Sequence, residues 1–272
     1  EGGTDEYYAK LVAKYIDSVH THITVSEEEL LEAYNMIHII GETYDTTTCR
    51  ALTVQYLVSK AVSEYDYKYF KVLFNGDGSD ELTGGYLYFH KAPSHEEYHL
   101  EIIKLLDNIH VHDVRRADSG ISSNGLESRV PFLDKRFIEL YLTIDPKLRM
   151  PTNGLEKWLL RESFKEENLI PNEVLYRRKE AFSDGVSSSK RSWYKIIQEQ
   201  AENLYSDSIF EIIRSKYKYL TPLTKENLVL RERFSEYFGT NYYTSAIVPY
   251  IWMPKKEWVG EINDPSARVL KI

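Results

Sequence analysis

The run Val72-Leu73-Phe74-Asn75-Gly76-Asp77-Gly78-Ser79-Asp80-Glu81-Leu82-Thr83-Gly84-Gly85 constrains the fold more than any other part of the chain. A short apolar, β-like segment enters a glycine-spaced acidic turn, which leads into residues able to start a helix. Open α/β sheets build ligand sites in this way, at the carboxyl end of a strand. Gly76 and Gly78 let backbone N–H groups approach a ligand, and Ser79 stands where a helix N-terminus offers unpaired donors to an anion. Phosphate or carboxylate is the matching guest. A tight strand-to-helix turn whose acids only cap the helix would use the same residues, and the turn alone does not decide between the two.

The flanking patterns supply the rest of an α/β fold. Tyr8, Leu11, Val12, Tyr15, Ile16 and Val19 follow helical spacing, with Asp5 and Glu6 in the first turn. His20 to Val25 alternates weakly with β-branched residues and predicts a strand. Ser26 with Glu29 predicts a capping box ahead of Leu30, Ala33, Tyr34, Ile37 and Ile40. A third helix carries Val54, Leu57, Val58, Ala61 and Val62, and the strand Val72 to Phe74 follows it. Strands alternating with helices imply a parallel sheet covered on both faces. Beyond Pro93 the strand signals fade. Helical patterns recur at Tyr98 to Ile109 behind Ser94 and Glu97, at Phe137 to Leu142 and at Leu155 to Phe164. A soft boundary falls near Pro93, with a ligand site drawing on both sides of it. Tyr205 to Lys225 reads as the loosest stretch, and Thr224 caps a helix over Glu226 to Phe238.

Composition narrows the partners. Lysine and arginine total 34 against 42 aspartates and glutamates, a formal charge of −8, which argues against nucleic acid or an anionic membrane as the main partner. No apolar run is long enough to span a bilayer, and the single cysteine supports no disulfide framework; a reducing cytoplasm fits best. The eight histidines show no zinc-like spacing. Tyr7, Tyr8, Tyr86 and Tyr88 read as core and interface aromatics rather than as a stacking platform for nucleic acid.

Further residues each carry two readings. Thr47, Thr48 and Arg50 stand at the mouth of the third helix, where two hydroxyls and a guanidinium fork can hold a carboxylate; a threonine-rich N-cap beside a surface arginine is the alternative. Cys49 between them reads as a small buried hydrophobe. Asp113, Arg116, Glu127 and Arg129 read as structural ion pairs or as site charges. Lys179 reads as a point charge for a phosphate or as a solvated lysine beside Arg177 and Arg178.

Several long motifs occur in one order: Glu42-Thr43-Tyr44-Asp45-Thr46-Thr47-Thr48-Cys49-Arg50-Ala51, the acidic turn, Tyr86-Leu87-Tyr88-Phe89-His90-Lys91-Ala92-Pro93, Gly125-Leu126-Glu127-Ser128-Arg129-Val130-Pro131-Phe132-Leu133-Asp134 and Arg177-Arg178-Lys179-Glu180-Ala181-Phe182-Ser183-Asp184-Gly185. Together they resemble the synthetase domain of glutamine-dependent asparagine synthetase, from about Thr4 to the closing Asp264-Pro265-Ser266-Ala267-Arg268. The resemblance implies a fold of the adenine nucleotide alpha hydrolase-like (PP-loop ATP pyrophosphatase) type, with 1–93 as a partial nucleotide-binding core and 94–272 as its mostly helical remainder. It implies a ligase that converts aspartate to asparagine through a β-aspartyl-AMP intermediate, using ATP, Mg²⁺ and ammonia derived from glutamine. The family's glutaminase domain and its Ser-Gly-Gly-x-Asp-Ser-Ser pyrophosphate loop have no counterpart in this sequence, so the chain resembles the carboxyl-terminal part of a larger protein, inactive by itself. A homodimer is one option the resemblance leaves open.

Carried over position by position, the resemblance assigns Thr47, Thr48 and Arg50 to aspartate, Asn75, Gly76, Gly78 and Ser79 to ATP or AMP, and Asp80 to Mg²⁺. It assigns catalysis to Asp77, Asp113 and Lys179, with Glu127 and Arg129 bracing the site. Two positions of the turn depart from the family pattern Ser-Gly-Glu-Gly-Ser-Asp-Glu: Asn75 replaces serine, and Asp77 replaces the glutamate that takes a proton from attacking ammonia. Asp77 is one methylene shorter, and a general base must reach its proton at hydrogen-bond distance. A catalytically inactive, synthetase-derived binding module is the alternative that these departures support. A synthetase for a different carboxylate, as in β-lactam-forming relatives, is a third option that Thr47, Thr48 and Arg50 disfavour.

Overall fold

The computed structural model describes residues 2–66, 69–188, 190–266 and 269–270, so Ala267 and Arg268 of the closing motif lie outside the described residues. Helix α1 (Thr4–Tyr15) carries Asp5 and Glu6 in its first turn, as its dipole favours, but none of its residues is buried. Its apolar stripe stops short of the expected end: Val19 is 99% exposed. Tyr7 is also exposed, whereas Tyr8 lies under the Arg177 guanidinium, 4.2 Å from ring centroid to Cζ. The strand expected at His20 to Val25 is absent. Those residues have no regular structure and are mostly exposed, so their β-branched side chains have no neighbouring strand to pair with.

Helix α2 (Glu27–Ile40) begins with the predicted reciprocal cap, Glu29 N–H donating to Ser26 Oγ at 3.1 Å and Ser26 N–H to Glu29 Oε2 at 2.7 Å. Its Ala33, Tyr34 and Ile37 are buried against α3 (Thr46–Asp66). Strand β1 (Val72–Phe74) then pairs in parallel with β2 (Glu127–Arg129), Val72 opposite Glu127 and Phe74 opposite Arg129. The molecule is therefore α/β, with a small parallel sheet and flanking helices, and among the described residues the sheet has two strands. Glu-Ser-Arg has no apolar or β-branched residue, so β2 gives no strand signal and exists through its pairing.

Between the strands lie α4 (Ser79–Thr83), α5 (His95–Asp107) and α6 (Asp113–Ser122), followed by α7 (Lys135–Thr143). At α5 half of the expected cap forms: Glu97 N–H donates to Ser94 Oγ at 3.2 Å, but the Glu97 carboxylate pairs with Lys255 at 2.9 Å. The helix expected over Leu155 to Phe164 is confined to Trp158–Ser163. Helices Trp193–Leu204 and Lys225–Phe238 follow, the latter capped by Thr224 as predicted. The stretch Tyr205 to Lys225 is not loose throughout: Ser206 caps a helix Asp207–Arg214 that buries Phe210.

Two cores fix what matters for the site. Tyr34, Ile37, Cys49, Leu52, Trp193, Leu230 and Phe234 hold the mouth of α3, confirming Cys49 as a buried small side chain. Tyr88, Phe89, Tyr98, Ile102 and Trp252 hold the loop after α4. Each such side chain contributes about 1.5–3 kcal/mol by burial. No helix among the described residues is long and apolar enough to cross a membrane.

Candidate functional site

The acidic turn is shaped by its own polar groups. Gly78 adopts φ +87°, a left-handed conformation, and a Cβ there would also collide with Leu133. Asn75 Oδ1 accepts from Asp77 N–H at 3.0 Å, and Asn75 Nδ2 donates to Ser128 Oγ at 2.8 Å, tying the turn to β2. Ser79 N–H is used inside the turn, donating to Gly76 C=O at 3.3 Å. A Cβ on Gly76 would meet no protein atom within 4 Å, so that position faces open space.

Carboxylates and cations converge on this turn from distant parts of the chain. Asp77 Oδ1 accepts from Arg116 Nη2 at 2.6 Å, and Arg116 also reaches Asp113 Oδ1 at 3.0 Å. Asp77 Oδ2 accepts from Gln55 Nε2 at 2.8 Å. Asp80 is held between two lysines, Lys179 Nζ at 2.6 Å from Oδ2 and Lys157 Nζ at 2.7 Å from Oδ1. Lys157 Nζ also donates to Ser79 Oγ at 2.9 Å. Burial pushes the Asp80 carboxyl up, but the two ammonium groups outweigh it and hold the pKa well below the usual carboxylate range. Glu81 goes the other way. Burial, then the nearby Asp113 and Asp80, raise it well above the ordinary glutamate value, while the Tyr86 hydroxyl donates to its Oε1. Burial lowers Lys179 and Asp80 raises it, with a net upward shift that keeps the lysine charged.

A second cluster surrounds Arg50. Its Nε donates to Glu226 Oε1 at 2.9 Å and its Nη2 to Glu226 Oε2, while Nη1 and Nη2 reach Asp264 Oδ1 and Oδ2 at 3.1 and 2.8 Å. Thr48 turns inward, its N–H and Oγ donating to Asp45 Oδ2 at 2.8 and 2.7 Å, so the helix is capped by Asp45 and Thr48 is the capped residue, not the cap. Thr47 Oγ1 is buried with no partner. It lines, with Arg50, Tyr86, Lys179, Ser183 and Ser266, a small cavity of about 70 Å³ counted as space for the centres of water-sized molecules.

Asp77 and Asp113 thus share Arg116, and Asp80 shares Lys157 and Lys179; Glu81 lies close enough to feel both Asp113 and Asp80, and Lys179 and Tyr86 line the cavity of Thr47 and Arg50. Lys179 Nζ lies 5.8 Å from the Tyr86 ring centroid. The side chains of Glu127 and Arg129 do not brace the site: they pair with each other at 2.6 Å, each more than half exposed, while Ser128 Oγ and the Arg129 C=O meet the turn at Asn75. Gln55, Lys157, Glu81 and Ser128 received no role from the sequence, and Tyr86, read there as a core or interface aromatic, stands at the site. Lys157 stands in the left-handed region, φ +56°, just before Trp158–Ser163, and nothing local to it announces a site. Among the described residues no cluster of three or more histidines, cysteines or carboxylates is arranged to hold a metal ion. Asp80 is a hard oxygen donor of the type that suits Mg²⁺ bound by one or two carboxylates with the remaining ligands from phosphate and water, although a metal ion there would have to displace Lys157 or Lys179 from its oxygens.

The asparagine synthase family matches residues 1–106 and 93–247 of this chain. The chain is 45% identical over 271 residues to the glutamine-hydrolyzing asparagine synthetase of Gallus gallus, covering 100% of this chain and 47% of the relative. It is 44% identical over 270 residues to the protein of that name from Homo sapiens and 43% identical over 270 residues to that from Mesocricetus auratus, each match covering 99% of this chain and 47% of the relative. The chain spans about half the length of the curated relatives it matches.

Proposed function

Because the chain belongs to the asparagine synthase family, we propose that it is the synthetase portion of an ATP-dependent asparagine synthetase, with residues 1–93 a partial nucleotide-binding core of the PP-loop type and 94–272 its helical remainder. The observation that carries this reading is the convergence of Asp77, Asp80, Asp113, Arg116 and Lys179 beside a cavity lined by Thr47 and Arg50. Two opposed chemistries meet there, one set of groups for phosphate and one for a carboxylate substrate.

In this assignment Arg50 and Thr47 orient aspartate so that its side-chain carboxylate attacks the α-phosphorus of ATP; the new P–O bond forms as the bond to pyrophosphate breaks. Asn75, Gly76, Gly78 and Ser79 border the nucleotide, and the open space beside Gly76 suits close approach of AMP. Lys179 supplies positive charge to the departing pyrophosphate. Asp80 would hold Mg²⁺, which when bound supplies charge neutralisation at the phosphates. Ammonia then attacks the acyl carbon, Asp77 accepts a proton from the nitrogen, and AMP leaves with the bonding electrons of the broken C–O bond. Asp113 keeps Arg116 directed at Asp77.

Ammonia would come from a glutaminase domain and pyrophosphate would be gripped by a further loop, both on the parent polypeptide, with a homodimer as the proposed assembly and the reducing cytoplasm as its setting. Positioning of two reactants is worth on the order of 7–11 kcal/mol of barrier, so this chain by itself falls to background turnover. The test is pyrophosphate release from ATP. The intact polypeptide should release it only with aspartate present, and this chain alone at background. Aspartate-independent release, or none from the intact polypeptide, would overturn the assignment.

A further inference from the structure

We propose that Gln55 is a positioning residue for the ammonia step, holding the short carboxylate of Asp77 in place from α3; this rests on the synthetase reading above. Gln55 Nε2 donates to Asp77 Oδ2 at 2.8 Å, while Arg116 Nη2 donates to Oδ1 at 2.6 Å from α6. Each carboxylate oxygen therefore has one donor from a different helix, which fixes the plane of the group. A carboxylate oxygen has two lone-pair sites, so a site on each remains for the proton of an incoming nucleophile.

The rest of the amide is consistent with this contact setting its orientation. Gln55 Oε1 is buried and has no hydrogen-bond partner. A glutamine that only filled space would turn that oxygen toward a donor, since an unsatisfied buried acceptor is costly. Here the amide gives up its carbonyl partner to present Nε2 to Asp77. The approach of the two helices that makes this possible depends on Gly120 of α6: a Cβ there would lie 2.9 Å from Leu52 Cδ1 and 3.5 Å from Gln55 Cβ. Ser59 Oγ closes the same contact by donating to Gly120 C=O at 2.5 Å. Asp77 is one methylene shorter than the glutamate of the family pattern, and Gln55 supplies the restraint that a shorter stem needs to keep its oxygens in one place.

The experiment compares Gln55→Met and Gln55→Glu with the unsubstituted intact polypeptide, using two readouts: single-turnover, aspartate-dependent pyrophosphate release without ammonia, and steady-state asparagine formation with ammonium as the nitrogen source. Gln55→Met should lower kcat for asparagine about tenfold, less than the roughly 10²–10⁴-fold that a general base contributes because Asp77 itself remains, while pyrophosphate release stays within about twofold. Gln55→Glu keeps the size of glutamine but replaces the donor with an acceptor facing a carboxylate, so its kcat should fall below that of Gln55→Met. A space-filling role predicts the reverse order. Unchanged kcat in both variants, the reverse order, or an equal fall in pyrophosphate release would each overturn the positioning role. Absence of aspartate-dependent release from the unsubstituted protein would instead overturn the synthetase reading on which it rests.

Discussion

Asp80 and Arg50 are mirror images. Asp80 is a buried anion flanked by two cations, Lys157 and Lys179, and Arg50 is a buried cation flanked by two anions, Glu226 and Asp264. Neither could be buried alone, because an unpaired ion inside a protein costs several kcal/mol. Under the proposed assignment the pairings also set how ligands would enter. A metal-bound phosphate at Asp80 would take over lysines already in place. A substrate carboxylate at Arg50 would have to displace an acid. Asp264 is the one able to yield, with its side chain 14% exposed against 1% for Glu226. On that proposal the first cluster would be charged in advance for its ligand, and the second would hold a stand-in for it.

The comparison breaks first at Asp80. Asp80→Asn should lower aspartate-dependent pyrophosphate release by on the order of 10²–10³-fold, the range seen when one preorganised charge is removed. A loss under tenfold would mean that the two lysines, not the acid, organise the phosphates. Next, Arg50→Met strands Glu226 and Asp264 and should cost about 3–5 kcal/mol in urea unfolding, with kcat/KM for aspartate falling alongside. A stable variant would show that the acids hold each other in some other way. A smaller, opposite effect is expected from Asp264→Asn: removing the stand-in should lower KM for aspartate about threefold to tenfold with kcat little changed, because one charge-assisted hydrogen bond no longer competes. An unchanged KM would place the substrate carboxylate elsewhere.

The smallest effect concerns Glu81, whose pKa is raised by burial and then by Asp113 and Asp80. Above the ordinary glutamate pKa of about 4.5 the unfolded chain loses this proton while the folded chain retains it. Stability therefore falls as pH rises from that value toward the folded pKa. Glu81→Gln should flatten this fall, so urea midpoints of the two proteins should converge near pH 4 and diverge in favour of the variant at higher pH. Parallel pH profiles would show that Glu81 carries no such linkage.

Features set by neighbouring residues could be read from the chain alone. The Ser26 and Glu29 cap, the Thr224 cap and the strand-to-helix turn at Gly78 all depend on residues within a few positions of one another. Features set by distant contacts could not. Arg50 meets Glu226 across 176 positions and Lys179 meets Asp80 across 99, and neither partner has a periodic or turn signal that points to the other. The strand Glu127–Arg129 is polar and forms through pairing with β1. Conversely, His20 to Val25 has the right residue types for a strand and no partner, so it stays irregular. Resemblance could assign Asp77 and Lys179 to one centre, but not Gln55 or Lys157, whose contacts with Asp77 and Asp80 exist only once α3 and the segment before Trp158 fold onto the turn.

The most direct test follows an oxygen atom. With aspartate labelled by ¹⁸O in its side-chain carboxylate, the intact polypeptide supplied with ATP and ammonia should produce AMP carrying one label for each asparagine formed, because the C–O bond to the adenylate breaks when nitrogen attacks. Unlabelled AMP formed in step with asparagine would contradict an aspartyl adenylate beside Asp77, Asp80 and Lys179.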